Sequence, residues 1–210
     1  MGLAKKRVLI TCGPTWVPID EMRVISNRST GELGQQLAFA LAKKGAVLTL
    51  LEGPVRQPLV KPPFEVCKYE FFVELDQLLK RSLQKHYDVV IQAAAVSDYQ
   101  LATVYKGKLS SGRPALTLKL KPLPKLIATI KKRCPTTFLV GFKLAATTSK
   151  ARLQEAAAGL FIDAACDLVV ANTLKGGYRA YLLTKDDVIG QAGSRPELIN
   201  QLIAAMEERL

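Results

Sequence analysis

Apolar and polar positions follow two rhythms along this chain. Short apolar runs of strand length recur at 7–12, 47–51, 66–69, 88–93, 138–142 and 167–171, and between them apolar residues fall at helical spacing. The first helical stretch is carried by Leu33, Leu37, Ala38, Leu41 and Ala42 and stops at Lys43, Lys44 and Gly45. There, basic residues oppose the negative end of the helix dipole, and glycine supplies the turn that ends it. Further helices are predicted over 73–85, from just after Pro124 to 133, over the alanine-rich 151–165, and over 195–210. Strands separated by single helices are the pattern of a parallel sheet covered on both faces. The fold class read from this is α/β, a Rossmann-like, mostly parallel sheet with helices on both faces, in a single domain over 1–210.

Two stretches break the alternation. Between the first strand and the first helix lie eighteen residues, 13–30, where α/β loops usually have two to six. A second irregular span, 96–114, follows the fourth strand and is rich in Lys, Ser and Gly; after it, 115–121 alternates and suits an arm or edge strand. Together 96–121 read as a flap or arm. Long loops at the carboxyl ends of parallel strands are where an open α/β sheet binds its ligand, so function is expected there.

Composition then narrows the chemistry. With 49% apolar and 23% charged residues in 210, the chain can bury a core, and no uncharged apolar run nears the ~18 residues of a membrane span. The start runs into the first strand without a small-residue cleavage site, so a cytoplasmic protein is expected. Thirty Lys and Arg against eighteen Asp and Glu leave +12, which suits nucleic acid, an anionic lipid surface or a substrate with several phosphates. The basic residues are scattered, with only short clusters such as Lys131, Lys132 and Arg133, which disfavours a specific nucleic-acid binder. Cys12, Cys67, Cys134 and Cys166 are far apart and the only histidine is His86, predicted in a loop, so neither a zinc site, a disulfide frame nor a Ser/His/Asp mechanism is indicated. Chemistry must run on Lys, Arg, Asn, Asp, backbone amides and possible metal ions.

Nucleotide motifs are sparse. There is no GxxxxGK[ST] and no GxGxxG; the nearest approach is STGELG at 29–34, whose glycines permit close backbone approach and whose free amides at a helix N-terminus hold an anion. Glu52, at the end of the second strand, has the placement of a ribose ligand. A nicotinamide-dependent oxidoreductase stays open as the alternative function, although Tyr99 is followed four residues later by Thr103 rather than the Lys of a Tyr-x-x-x-Lys pair.

The long first loop, GPTWVPIDEMRVISNRSTGELG at 13–34, resembles the signature loop of the phosphopantothenate–cysteine ligase (phosphopantothenoylcysteine synthetase) family. Further matches follow in the family's order: Gly53 and Pro54, AAAVSDY at 93–99, KGK at 106–108, VGF at 140–142 and VAN at 170–172. The resemblance implies ligation of 4′-phosphopantothenate to cysteine with CTP or ATP, through an acyl-nucleotidylate and with Mg2+, whose ligands stay unknown. It implies catalytic roles for Asn27, which would donate to an acyl oxygen, and for Lys108, which would stand over the phosphates. Ser29, Thr30, Gly31 and Gly34 would hold phosphopantothenate. Gly13, Thr15, Ala93, Ala94, Asp98, Lys108, Pro124, Lys125, Leu126, Ile127 and Phe142 would line the nucleotide. It also implies a homodimer that exchanges an arm after the fourth strand. Family members often carry a flavin-dependent decarboxylase domain first; here a free-standing synthetase without flavin is expected.

The chain departs from the family pattern in places. Lys108 is followed by Leu, Ser, Ser, where the K-x-K-K loop of many bacterial members has a further lysine, and Ala146 stands where the family has Glu. Phe142, Lys143 and Leu144 are similar to eukaryotic-type members that use ATP. Leu160 and Ala164 occupy the positions of helix lysines, with Lys143, Lys150 or Arg152 as candidate replacements, and Lys125 replaces an Asp. CTP and ATP therefore both remain open.

Overall fold

The computed structural model describes residues 2–110, 112, 114–147 and 149–210. Its centre is an eight-stranded sheet built from β1 (Arg7–Cys12), β4 (Val47–Glu52), β5 (Glu65–Lys68), β6 (Val89–Gln92), β9 (Phe138–Leu144), β10 (Leu168–Thr173), β11 (Arg179–Leu183) and β12 (Val188–Ala192), in the order β12-β11-β10-β9-β6-β1-β4-β5. The pairs from β5 to β10 are parallel, and β10–β11 and β11–β12 are antiparallel. The mostly parallel sheet of the sequence reading is thus present, extended by a hairpin that the reading missed.

That hairpin was hidden for a physical reason. Lys185, Asp186 and Asp187 read as a polar loop and Gly190 interrupts the alternation. In the fold the polar trio is a tight turn, in which the Thr184 amide donates to the Asp187 carbonyl at 2.9 Å. A side chain at Gly190 would run into Gln201, so glycine lets the last helix lie close over the edge strand.

Helices cover both faces. α1 (Glu32–Lys43) and α5 (Arg195–Glu207) pack Leu37, Leu41, Leu198, Leu202 and Met206 against Val8, Ile10, Ile91 and Val140. α2 (Phe72–Ser82), α3 (Ile127–Arg133) and α4 (Lys150–Ala164) pack Leu75, Leu79, Ile130 and Leu153 against Leu9, Val90 and Leu139. Successive strand residues serve opposite faces, as the pleat requires. Each fully buried leucine contributes roughly 1.5–3 kcal/mol. α1 ends where the basic pair and Gly45 placed its end, and α5 begins at Ser194, whose side chain accepts the Glu197 amide at 3.3 Å.

Neither irregular stretch is structureless. The first holds a ribbon of β2 (Trp16–Pro18) against β3 (Val24–Ser26), and the flap holds β7 (Tyr99–Leu101) against β8 (Leu120–Pro122). The alternation at 115–121 therefore becomes strand only at its end: Leu120 is the first residue of the strand, and just before it the Lys119 carbonyl accepts the Ala102 amide at 2.9 Å. Ser111 and Arg113 of the flap lie outside the described residues.

Candidate functional site

The sheet order reverses between β1 and β6, the point where an open α/β sheet gathers ligand loops. The segments leaving these strands stay paired past the sheet. The Ala95 amide donates to the Gly13 carbonyl at 2.9 Å, and Pro14 bridges Ala95 in parallel. Thr15 and Ser97 then lock together: the Ser97 amide donates to Thr15 Oγ1 at 2.9 Å, that hydroxyl donates to Ser97 Oγ, and the serine hydroxyl donates to the Thr15 carbonyl at 3.1 Å. Thr15 is fully buried, so it serves the site by tying the two loops together.

On this base stands the β2–β3 ribbon, and Asn27 follows directly from β3. Its Nδ2 donates to the Ala95 carbonyl at 3.1 Å while its own carbonyl accepts the Ser29 amide at 2.9 Å. The residue is exposed, and its Nδ2 also lies 3.5 Å from the Val96 carbonyl. Ser29 and Thr30 lead into α1. Gly31 has φ 77° and a Cβ there would strike Val55, and a Cβ on Gly34 would strike Cys12 on β1. Glycine at these two positions lets the first turn of α1 settle over the end of β1 beside Gly13, with Gln35 making the first intrahelical bond to Gly31 at 3.2 Å and the earlier amides outside that ladder. Asn27, Ser29, Thr30, Gly31, Gly34 and Gly13 are thus brought together.

The nucleotide candidates are less united. Ala93 and Phe142 pack on the α1–α5 side of the sheet, whereas Ala94, Leu126 and Ile127 pack on the other. They approach one another only at the sheet's carboxyl edge, where the Ala94 amide donates to Thr11 Oγ1 at 3.1 Å. Asp98 and Lys125 are paired with each other at 2.5 Å, both well exposed, and Pro124 precedes Lys125 on the surface. Leu160 is half-buried beside Gly141 and Ala164 is buried, so neither position offers a polar group. Of the candidate replacements, Lys143 and Arg152 are exposed and Lys150 lies 5.9 Å from the Tyr181 ring centre.

Lys108 is exposed at the other end of the ribbon from Asn27, against the turn that joins β2 to β3. The three ladder pairs of the ribbon and its 19–23 turn lie between the two residues. The sequence reading assigned no role to that turn, yet it is a dense polar knot. Asp20 accepts the amides of Met22 and Arg23 on Oδ1, and the guanidinium of Arg23 and the Leu109 amide on Oδ2. The Arg23 guanidinium, then the Leu109 amide, hold the Asp20 carboxyl well below the usual carboxylate range. The signal available in the sequence was an Asp and an Arg three apart between two short apolar runs. Beside the knot, a cavity of about 420 Å³ runs along the ribbon between Trp16, Phe71 and Tyr105.

Burial, reinforced by Glu52, pushes the Cys12 thiol far up, and burial does the same to Tyr69, whose hydroxyl donates to the Cys12 carbonyl at 2.8 Å. Glu52 is buried and accepts Gln35 Nε2 at 2.8 Å, a structural placement rather than the exposed one a ribose ligand needs. His86 is exposed between α2 and β6. Among the described residues no three His, Cys, Asp or Glu side chains converge on a common point, and no helix is long and apolar enough to cross a membrane.

Comparison with known proteins agrees with this architecture. The chain is 42% identical over 176 residues to the Coenzyme A biosynthesis bifunctional protein CoaBC of Thermococcus kodakarensis, covering 83% of this chain and 43% of that protein. It is 36% identical over 173 residues to the protein of the same name from Escherichia coli, covering 79% and 40%. The chain therefore spans less than half the length of these two relatives. Among solved structures it resembles the DNA/pantothenate metabolism flavoprotein from Streptococcus pneumoniae, with a TM-score of 0.86, 26% identity, and 98% of this chain and 100% of that one covered. Residues 3–190 match the profile of the DNA/pantothenate metabolism flavoprotein C-terminal domain, and the chain belongs to that family.

Proposed function

We propose that the chain is a phosphopantothenate–cysteine ligase, joining 4′-phosphopantothenate to cysteine at the expense of CTP or ATP. Family membership supports the reaction class, and the relatives' place in coenzyme A biosynthesis supports the substrates. The observation that carries the reading at the level of residues is Asn27, held by the Ala95 carbonyl where the β1 and β6 loops zip, next to a glycine-lined helix start. The nicotinamide alternative falls away, because a ribbon fills the first crossover where a dinucleotide site needs a tight glycine turn.

The chemistry proceeds in two steps. A substrate carboxylate oxygen attacks the α-phosphorus of the nucleotide, and the bond to pyrophosphate breaks. The cysteine amine then attacks the acyl carbon, the bond to the nucleotide monophosphate oxygen breaks, and the amine proton leaves to solvent. The first step gathers anions, so it requires cations and donors placed in advance. The α1 start, with Ser29, Thr30, Gly31 and Gly34, holds the phosphate of phosphopantothenate. Asn27 steadies the acyl oxygen through both steps with an amide that carries no titrating proton. Lys108, at the outer end of the same ribbon, faces the departing pyrophosphate of a ligand lying along it. Among the described residues no three His, Cys, Asp or Glu side chains converge; Mg2+ bound to the triphosphate would neutralise part of its charge.

The proposal includes a cytosolic homodimer. Its support is apolar surface on the two small ribbons, where Val24, Ile25, Tyr99 and Leu120 are all exposed. The test is direct: with phosphopantothenate, cysteine, Mg2+ and each nucleoside triphosphate in turn, pyrophosphate appears with CTP or ATP. Silence with all four triphosphates overturns the reading.

A further inference from the structure

The flap segment that carries Lys108 is docked by every second residue. The Tyr105 amide donates to the Ile19 carbonyl at 3.0 Å, the Gly107 amide to Glu21 Oε1 at 2.9 Å, and the Leu109 amide to Asp20 Oδ2 at 3.0 Å. Arg23 closes the set by donating from Nη2 to the Leu109 carbonyl at 2.9 Å. Between these anchors Lys106 and Lys108 are exposed, while Leu109 is buried. The segment thus lies against the ribbon's turn, bending at Gly107 (φ 65°) and leaving Lys106 and Lys108 exposed on either side of that bend.

We infer that Asp20 is a positioning residue, a latch that fixes where Lys108 stands. This rests on the role proposed for Lys108 above. The division of labour on the carboxylate supports it. Oδ1 serves only the turn itself, accepting Met22 and Arg23 amides at 2.9 and 2.8 Å, whereas Oδ2 accepts the Arg23 guanidinium and also reaches across to the Leu109 amide of the flap, 89 residues away in sequence. The Asp20 side chain has no solvent exposure, so water does not readily replace the flap amide it holds. An Asp needed for the turn alone has no use for the second oxygen's contact with Leu109.

Asp20→Asn separates the two roles. Its amide oxygen keeps the Oδ1 bonds and the turn, while an NH2 group now faces the Leu109 N–H and the Arg23 guanidinium, donor against donor. Amide hydrogen exchange on the full, unliganded chain should then speed at least ~10-fold at 107–109 with exchange in β1 and β6 unchanged. In the ligation assay kcat should fall at least ~10-fold, with KM for the nucleotide within about twofold, as expected when the ligand still binds but the lysine is misplaced. Glu21→Ala, on an exposed residue that folding does not need, should move both readouts in the same direction by less, and carries the test should Asp20→Asn fail to fold. Unchanged exchange at 107–109 overturns the latch. Faster exchange with unchanged kcat overturns the positioning role and leaves Asp20 a turn residue. A wild-type chain silent with all four triphosphates sinks the ligase reading instead, and the exchange data then decide the latch alone.

Discussion

The two ends of the β2–β3 ribbon are held by different physics. At the inner end, Asn27 stands on segments that prolong the sheet, pinned by the fully buried Thr15 and its bonds to Ser97. At the outer end, Lys108 is held by a surface strip gripped through Asp20, Glu21 and Arg23. Bonds inside the sheet open only when the domain does, whereas surface bonds open alone and cheaply. The role proposed for Asn27, acting on one atom through two steps, suits the first kind of support. The role proposed for Lys108, admitting a triphosphate and then covering it, suits the second.

This contrast can be broken or sharpened by experiment. Asn27→Ala and Lys108→Ala should each lower ligation by roughly 10²–10³, on the scale of losing a preorganised donor, with thermal stability almost unchanged because both side chains are exposed. A loss at one residue alone would show that the two ends do not serve one ligand. Thr15→Val keeps the shape but strips the Ser97 amide of its acceptor, at a cost of about 1–3 kcal/mol in denaturant unfolding. The inner end should also loosen by hydrogen exchange, unlike in Glu21→Ala.

Acid separates the ends without mutation. Asp20 is lower in the folded chain than the ~4 of an unfolded Asp, so its contribution is fully present above that value and drains away as pH falls through the folded value. Below about pH 4, exchange at 107–109 should rise in the wild type while the Thr15–Ser97 lock, which has no titrating group, stays closed. The smallest effect is expected at Lys125→Ala. That ion pair with Asp98 is exposed on both sides, so stability should change by less than about 1 kcal/mol, and a change in activity would instead mark Asp98 as a nucleotide contact.

Much of the sheet could be read from apolar periodicity, because parallel strands buried on both faces are written as unbroken runs such as Val89, Val90 and Ile91. What escaped were elements whose stability is not written as a run. β11 is buried but its partner β12 is interrupted by Gly190, which lies beside Gln201 of the helix that follows. β2, β3, β7 and β8 have three residues each, too few for a period to show. In the site, the inner cluster could be read because glycines at 13, 31 and 34 announce close backbone approach. The outer latch could not, since a carboxylate's partner 89 residues away leaves no local trace. Phe142 and Ile127 looked like neighbours of one ligand in sequence order, but they occupy opposite faces of the sheet.

Burial also settles how the protein's own sulfur atoms behave. Cys12 lies under the start of α1 with its thiol pushed far up, and Cys166 is pushed up to about 12, by burial first and Asp167 second. Thiolate, not thiol, attacks a disulfide, so these two stay protonated and inert at neutral pH. If the chain consumes free cysteine as proposed, these two buried thiols are thereby kept out of mixed-disulfide exchange with that substrate.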